Sequence, residues 1–108
     1  MPRPLVRMVR INGLQFNPNR DPQAYRRPLG MAFRVQAVLE GSGEAQCTLS
    51  DAGGRVLARA TERLPGTFSC ELSFDAPGSR VVTLSVRAGE AQFRQDLRLD
   101  TEPRAAAH

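Results

Sequence analysis

Cys47 and Cys70 are the two cysteines of the chain, and both fall at inward-phase positions of an apolar–polar alternation. Two chemistries are open to them. One is a disulfide closing a span of 23 residues (70 − 47 = 23), worth roughly 3 kcal/mol in the chain-entropy picture. The other is a pair of small buried thiols. A metal centre would need further cysteine or core histidine ligands. The lone histidine, His108, ends the chain, so neither a Ser–His–Asp nor a Cys–His arrangement has a base. The acids Glu40, Glu44, Asp51, Asp75 and Glu90 fall at turns. Paired-carboxylate catalysis needs two acids converging in a cleft, and a calcium loop needs closely spaced oxygen ligands. The residues therefore predict no catalytic site, no metal site and no cofactor.

Recognition is the better prospect. Residues 17–29 carry Pro18, Pro22 and Pro28 and no periodicity, and loops beyond about 12 residues in a compact domain are usually functional or disordered. This one gathers Arg20, Tyr25, Arg26 and Arg27, including the only tyrosine. Tyr and Arg are the side chains enriched at interface hot spots, so these four are the predicted partner-binding residues and another protein is the expected partner. A solvated crossover is the competing reading. The alternation also predicts an outward face of hydroxyls and guanidiniums: Thr48, Ser50, Thr83, Ser85, Arg87, Arg94 and Arg98. Carbohydrate or anion binding is the alternative function, although that face lacks an aromatic platform for a sugar ring. An edge strand, over 5–11 or 91–99, offers a third docking mode by strand addition.

The elements that must position these groups are strands. From Met31 to Leu99 apolar and polar residues alternate, and each change of phase falls on a Gly or Pro turn. A side-chain period of two between turn signals means half-buried antiparallel strands. The pattern predicts strands over 5–11, 31–40, 44–50, 55–61, 67–74, 80–87 and 91–99. Asn12-Gly13 either closes a tight hairpin onto residues 14–16 or kinks one long edge strand. Leu64-Pro65-Gly66 has the order of a type II turn, and Gly89-Glu90 suits a type II′ hairpin. Seven strands with turns every 8–12 residues predict an all-β, seven-stranded immunoglobulin-like antiparallel sandwich.

A chain of 108 residues makes one domain, expected over 1–100, with a flexible tail over 101–108. Its apolar runs are a few residues long, too short to span a bilayer. All fifteen basic residues are arginine, scattered along the strands in a manner that fits a codon preference. The net charge of +4, without tryptophan and with one tyrosine, does not suit a nucleic-acid binder, which clusters basic groups among stacking aromatics. Arg7 and Arg10 interrupt the apolar stretch near the start, so no signal peptide is expected. The protein is then expected in the cytoplasm if the chain is complete, and in the periplasm or at the surface if it is an excised domain.

Phe16-Asn17-Pro18, the strand over 31–40, Leu49-Ser50-Asp51-Ala52-Gly53-Gly54-Arg55-Val56, and Leu64-Pro65-Gly66 before Thr67 together resemble bacterial immunoglobulin-like and fibronectin-III-like accessory domains. The similarity covers residues 16–99 and is carried by turn chemistry. It implies a non-catalytic spacer, adhesion or assembly module. The chain departs from antibody-type domains in lacking the core tryptophan and the tyrosine corner. Its cysteines also lie on the third and fifth predicted strands, where antibody-type domains link the second and sixth.

Overall fold

The computed structural model describes residues 4–103. The chain is all-β: β1 (Val6–Ile11), β2 (Leu14–Gln15), a 3-10 turn (Pro22–Tyr25), β3 (Arg27–Pro28), β4 (Phe33–Asp51), β5 (Val56–Leu72), β6 (Gly78–Ala88) and β7 (Ala91–Glu102). Among the described residues no helix is long and apolar enough to cross a membrane.

Two of the predicted turns are bends inside strands. The stretches predicted over 31–40 and 44–50 are the two arms of β4, and those over 55–61 and 67–74 are the two halves of β5. Pairing persists through the bend with a register shift between Leu39 and Gly43. Gly41 and Gly43, both at positive φ, absorb the turn of the backbone without a Cβ penalty. Opposite them, Leu64-Pro65-Gly66 is strand rather than a type II turn, because Leu64 pairs with Gly43 and Gly66 with Leu39. The bend is tight at that point: a Cβ on Gly66 would stand 2.6 Å from the Arg63 carbonyl oxygen.

The hairpins at the strand ends follow their turn chemistry. Asn12 and Gly13 both have positive φ, as a type I′ turn requires, and join β1 to β2 with Ile11 opposite Leu14. This is the hairpin rather than the kink. Asp51 closes the β4–β5 turn by accepting the Gly53 and Arg55 amides on Oδ1, each at 2.9 Å. Gly89, at φ 60, opens the two-residue β6–β7 turn expected there.

All strands form one curled, mixed sheet in the order β2-β1-β4-β6-β7-β3, with β5 along the other side of β4. The first arm of β4 pairs with β1 and the second with β6. β3 joins β7 in parallel, with Arg27 opposite Thr101. Phe33, Val35, Ala37, Leu39, Ala45, Cys47 and Leu49 are all buried, so one face of β4 looks inward through both arms. β6 contributes Val82, Leu84 and Val86 to the same core, and β7 adds Leu97 and Leu99. β7 also extends past its predicted end: Thr101 and Glu102, assigned to the tail from sequence, are strand, and Thr101 is 5% exposed. Residues 104–108, with His108, lie outside the described residues.

Gly66→Ala is expected to destabilise the protein by about 1–3 kcal/mol, the range for forcing a methyl into occupied space, as read from urea unfolding. Gly13→Ala meets no atom within 4 Å and bears only its φ strain, about 1 kcal/mol.

Candidate functional site

The 17–29 segment is built around Tyr25, which is 1% exposed. Its hydroxyl accepts the Asn17 amide at 3.0 Å and donates to the Gln15 carbonyl at 3.0 Å. Its ring lies 5.8 Å from that of Phe16. The Tyr25 carbonyl accepts from Asn12 Nδ2 at 3.0 Å, and Asn12 Oδ1 accepts the Arg34 amide. Tyr25 is therefore not an exposed anchor, contrary to the sequence expectation. Burial of the ring and use of both hydroxyl bonds make it the clamp that folds the segment onto β2 and β4.

Its arginines go separate ways. Arg20 is exposed and lies with its guanidinium carbon 6.0 Å from the Tyr25 ring centroid. Arg26 pairs with Glu102 at 3.8 Å. Arg27 sits in β3 with Nε buried and without a hydrogen-bond partner among the described residues. Of the four predicted partner-binding residues, Arg20 and Tyr25 lie together, while Arg26 and Arg27 make separate contacts. Arg20 and Tyr25 both line a concavity of about 280 Å³, shared with Phe16, Asp96 and Arg98.

Cys47 and Cys70 are free thiols, so the candidate bridge is not formed. They occupy different parts of the bent hairpin: Cys47 faces Ala60 and Val86 across the strands, and Cys70 faces Val35. Burial, reinforced by Glu62, pushes the Cys47 thiol up to about 11. Burial, reinforced by Glu71, pushes Cys70 to about the same value. Neither is a thiolate near neutrality. Among the described residues no three His, Cys, Asp or Glu side chains converge to hold a metal.

A concavity of about 850 Å³ opens between the β4–β5 turn and the segment from Glu71 to Val82. Leu57, Leu72, Phe74 and Val82 supply its apolar lining. Three of its charged groups serve the fold. Asp51 caps the turn, Glu71 meets Arg34 at 3.5 Å, and Arg80 lies 4.4 Å over Phe74. Arg80 also donates to the Ala76 and Gly78 carbonyls and to the Thr101 hydroxyl.

Among the described residues, most of β1 and of β7, the two expected edges, has no strand paired on its outer side. β2 pairs with β1 only at Arg10 and Ile11, and β3 pairs with β7 only at Thr101 and Glu102. A further edge that the sequence did not predict is β5, which among the described residues pairs with β4 alone along its whole length. Nothing in the local alternation distinguished it, because edge position is a property of the sheet order. No family model matches the chain, and no curated protein matches it.

Tyr25→Phe is expected to cost about 1–2 kcal/mol through its two hydrogen bonds, and Tyr25→Ala about 3–5 kcal/mol, in urea unfolding. A Tyr25→Ala protein as stable as the parent would put the ring back on the surface. The thiols give a pH dependence. Their folded values near 11 lie above the ordinary 9.0, so the unfolded chain loses these protons first. Their contribution is complete below pH 9 and is lost as pH rises toward 11. A Cys47→Ala/Cys70→Ala protein should show a shallower fall in stability over that window.

Proposed function

We propose that the protein is a non-catalytic interaction module of the immunoglobulin-like sandwich class, docking an extended segment of another protein along the bare edge of β5. The strand pairing supports the class. β1, the first arm of β4 and the second half of β5 group together, while the second arm of β4 groups with β6 and β7. This grouping within the one curled sheet supports the reading, since an immunoglobulin-like sandwich also divides its first, second and fifth strands from its third, sixth and seventh. The first half of β5 departs from it by lying beside the second group.

The observation that carries the docking mode is the unpaired outer side of β5. A free edge presents N–H and C=O groups that an incoming strand can pair, with the main chain giving affinity and alternate side chains specificity. Pro65 offers no N–H and interrupts the donor row, so Val56 to Leu64 is the usable stretch. Val56, 43% exposed, gives it an apolar start. Arg59 and Arg63 keep it from pairing indiscriminately, since charge on an edge strand opposes aggregation. Edge docking also leaves the Tyr25 clamp undisturbed, whereas an anchor role for Tyr25 would require it to open.

The test is to select binders from a random peptide display library on the purified protein and map them by amide hydrogen exchange. Edge docking predicts new protection at alternate amides within residues 56–64. Peptides that instead protect residues 17–29 and leave β5 exchanging freely would move the docking site to the loop and overturn the edge reading.

A further inference from the structure

The outward face of the second arm carries a pattern that neither the fold nor edge docking uses. Reading across β5, β4, β6 and β7, the pairing register aligns Arg59, Thr48, Ser85 and Arg94 in one row. The next row is Thr61, Gln46, Arg87 and Gln92. Adjacent strands are about 4.8 Å apart, which sets Arg59 and Arg94 roughly 14 Å from each other at either side of the hydroxyls. A shallow trough of about 570 Å³ runs over this surface between Arg59 and Arg87.

The charge on these rows is uncompensated. Arg7, Arg26, Arg34 and Arg98 each meet a carboxylate. Arg59, Arg87 and Arg94 have no ion pair or hydrogen bond among the described residues. Neither row contains an acid. Acids stand beside these rows and not in them: Asp96 accepts from the Thr83 hydroxyl at 2.8 Å, Glu44 lies opposite Arg63, and Glu90 is in the β6–β7 turn.

We infer that this face binds a linear polyanionic glycan, holding its sulfate or carboxylate groups on Arg59, Arg87 and Arg94 and its hydroxyls on the intervening Thr, Ser and Gln side chains. The guanidinium fork matches a planar or tetrahedral oxyanion with two parallel hydrogen bonds. Hydroxyl and amide side chains both donate and accept, as sugar hydroxyls do. The rows contain no aromatic side chain, so they lack the stacking platform that holds single-stranded nucleic acid. They also offer no apolar pocket for the anchor residue of a peptide, nor apolar side chains to enter a bilayer. The charged polymer replaces ring stacking with ion pairing, which is how a face without aromatics can still hold a sugar chain. The site lies on the face of the sheet and does not depend on docking at the β5 edge.

The experiment is a titration of the purified protein with dextran sulfate in 150 mM salt, where the screening length is about 8 Å and distant charge contributes little. The parent protein should bind, and uncharged dextran should not. Arg59→Gln/Arg87→Gln/Arg94→Gln should weaken binding at least tenfold and flatten its salt dependence, since each lost contact releases fewer counterions. The charge-matched Arg10→Gln/Arg20→Gln/Arg55→Gln protein should stay within twofold of the parent. Amide shifts in the parent should concentrate at Thr48, Thr61 and Ser85, a readout that does not depend on the variants folding. The inference is overturned by any of three results: no binding by the parent, an equal loss in the charge-matched control, or binding of poly-glutamate or oligo-dT as tight as that of dextran sulfate.

Discussion

Seven side chains on alternate residues of β4, from Phe33 to Leu49, are each at most 1% exposed. A strand that buries one face over such a length forces the rest of the chain to bend around it. Between Leu39 and Ala45 the exposed Gly41 and Gly43 take positive φ, so the strand bends there without a Cβ penalty. At Gly41 a Cβ would also touch Leu64 Cδ1 at 3.4 Å. β5 must bend in step to keep its pairing, which is why Leu64-Pro65-Gly66 lies opposite the glycines. β1 and β6 then divide the other side of β4 between the two arms. The architecture follows from one inward face and two glycines placed where it turns.

The segment before β4 is tied to β2 at one end and to β7 at the other, and it adds Tyr25 to the core. It has no periodicity with which to form a strand of its own. Its order rests on Tyr25, which fills space with its ring and satisfies backbone groups of Gln15 and Asn17 with its hydroxyl. Asn12 adds a second tie, linking the Tyr25 carbonyl to the start of β4. β3 then fixes the far end to β7 in parallel, and the Leu29 amide reaches the Glu102 carbonyl at 2.9 Å. The segment is thus a strap across the sheet, and the polar groups that hold it are spent on the fold.

Most inward positions were legible because alternation reports burial directly. Phe33 through Leu49, Phe68 and Leu72, and Val82 through Val86 are inward where the period of two puts them. The turns at Asp51 and Gly89 were legible because their residue types admit few conformations. The continuity of β4 and β5 was not, since a glycine pair at a bend and one at a hairpin have the same composition. Tyr25 misled for a related reason: a tyrosine amid prolines and arginines has the composition of an exposed hot spot and equally that of a buried clamp. Only the hydrogen-bond partners, 8 and 10 residues away, distinguish the two. The hydroxyl-and-arginine face was visible in part from Thr48, Ser85, Arg87 and Arg94. Arg59 joined it only when the β4–β5 register set it opposite Thr48.

The bare edge and the cationic face share a strand, and that has an energetic consequence. A segment added to β5 would extend the row that begins at Arg59 by one position, placing its own side chain beside that guanidinium. An acidic residue there would neutralise one of three charges on the glycan face and weaken polyanion binding, whereas a basic one would add a fourth. By reciprocity of linked equilibria, the glycan would then discriminate among edge partners by the same factor. A partner with hydroxyl or amide side chains at that register would instead leave the two surfaces independent. The coupling therefore depends on the partner's side chain opposite Arg59, and its sign follows from the charge of that residue.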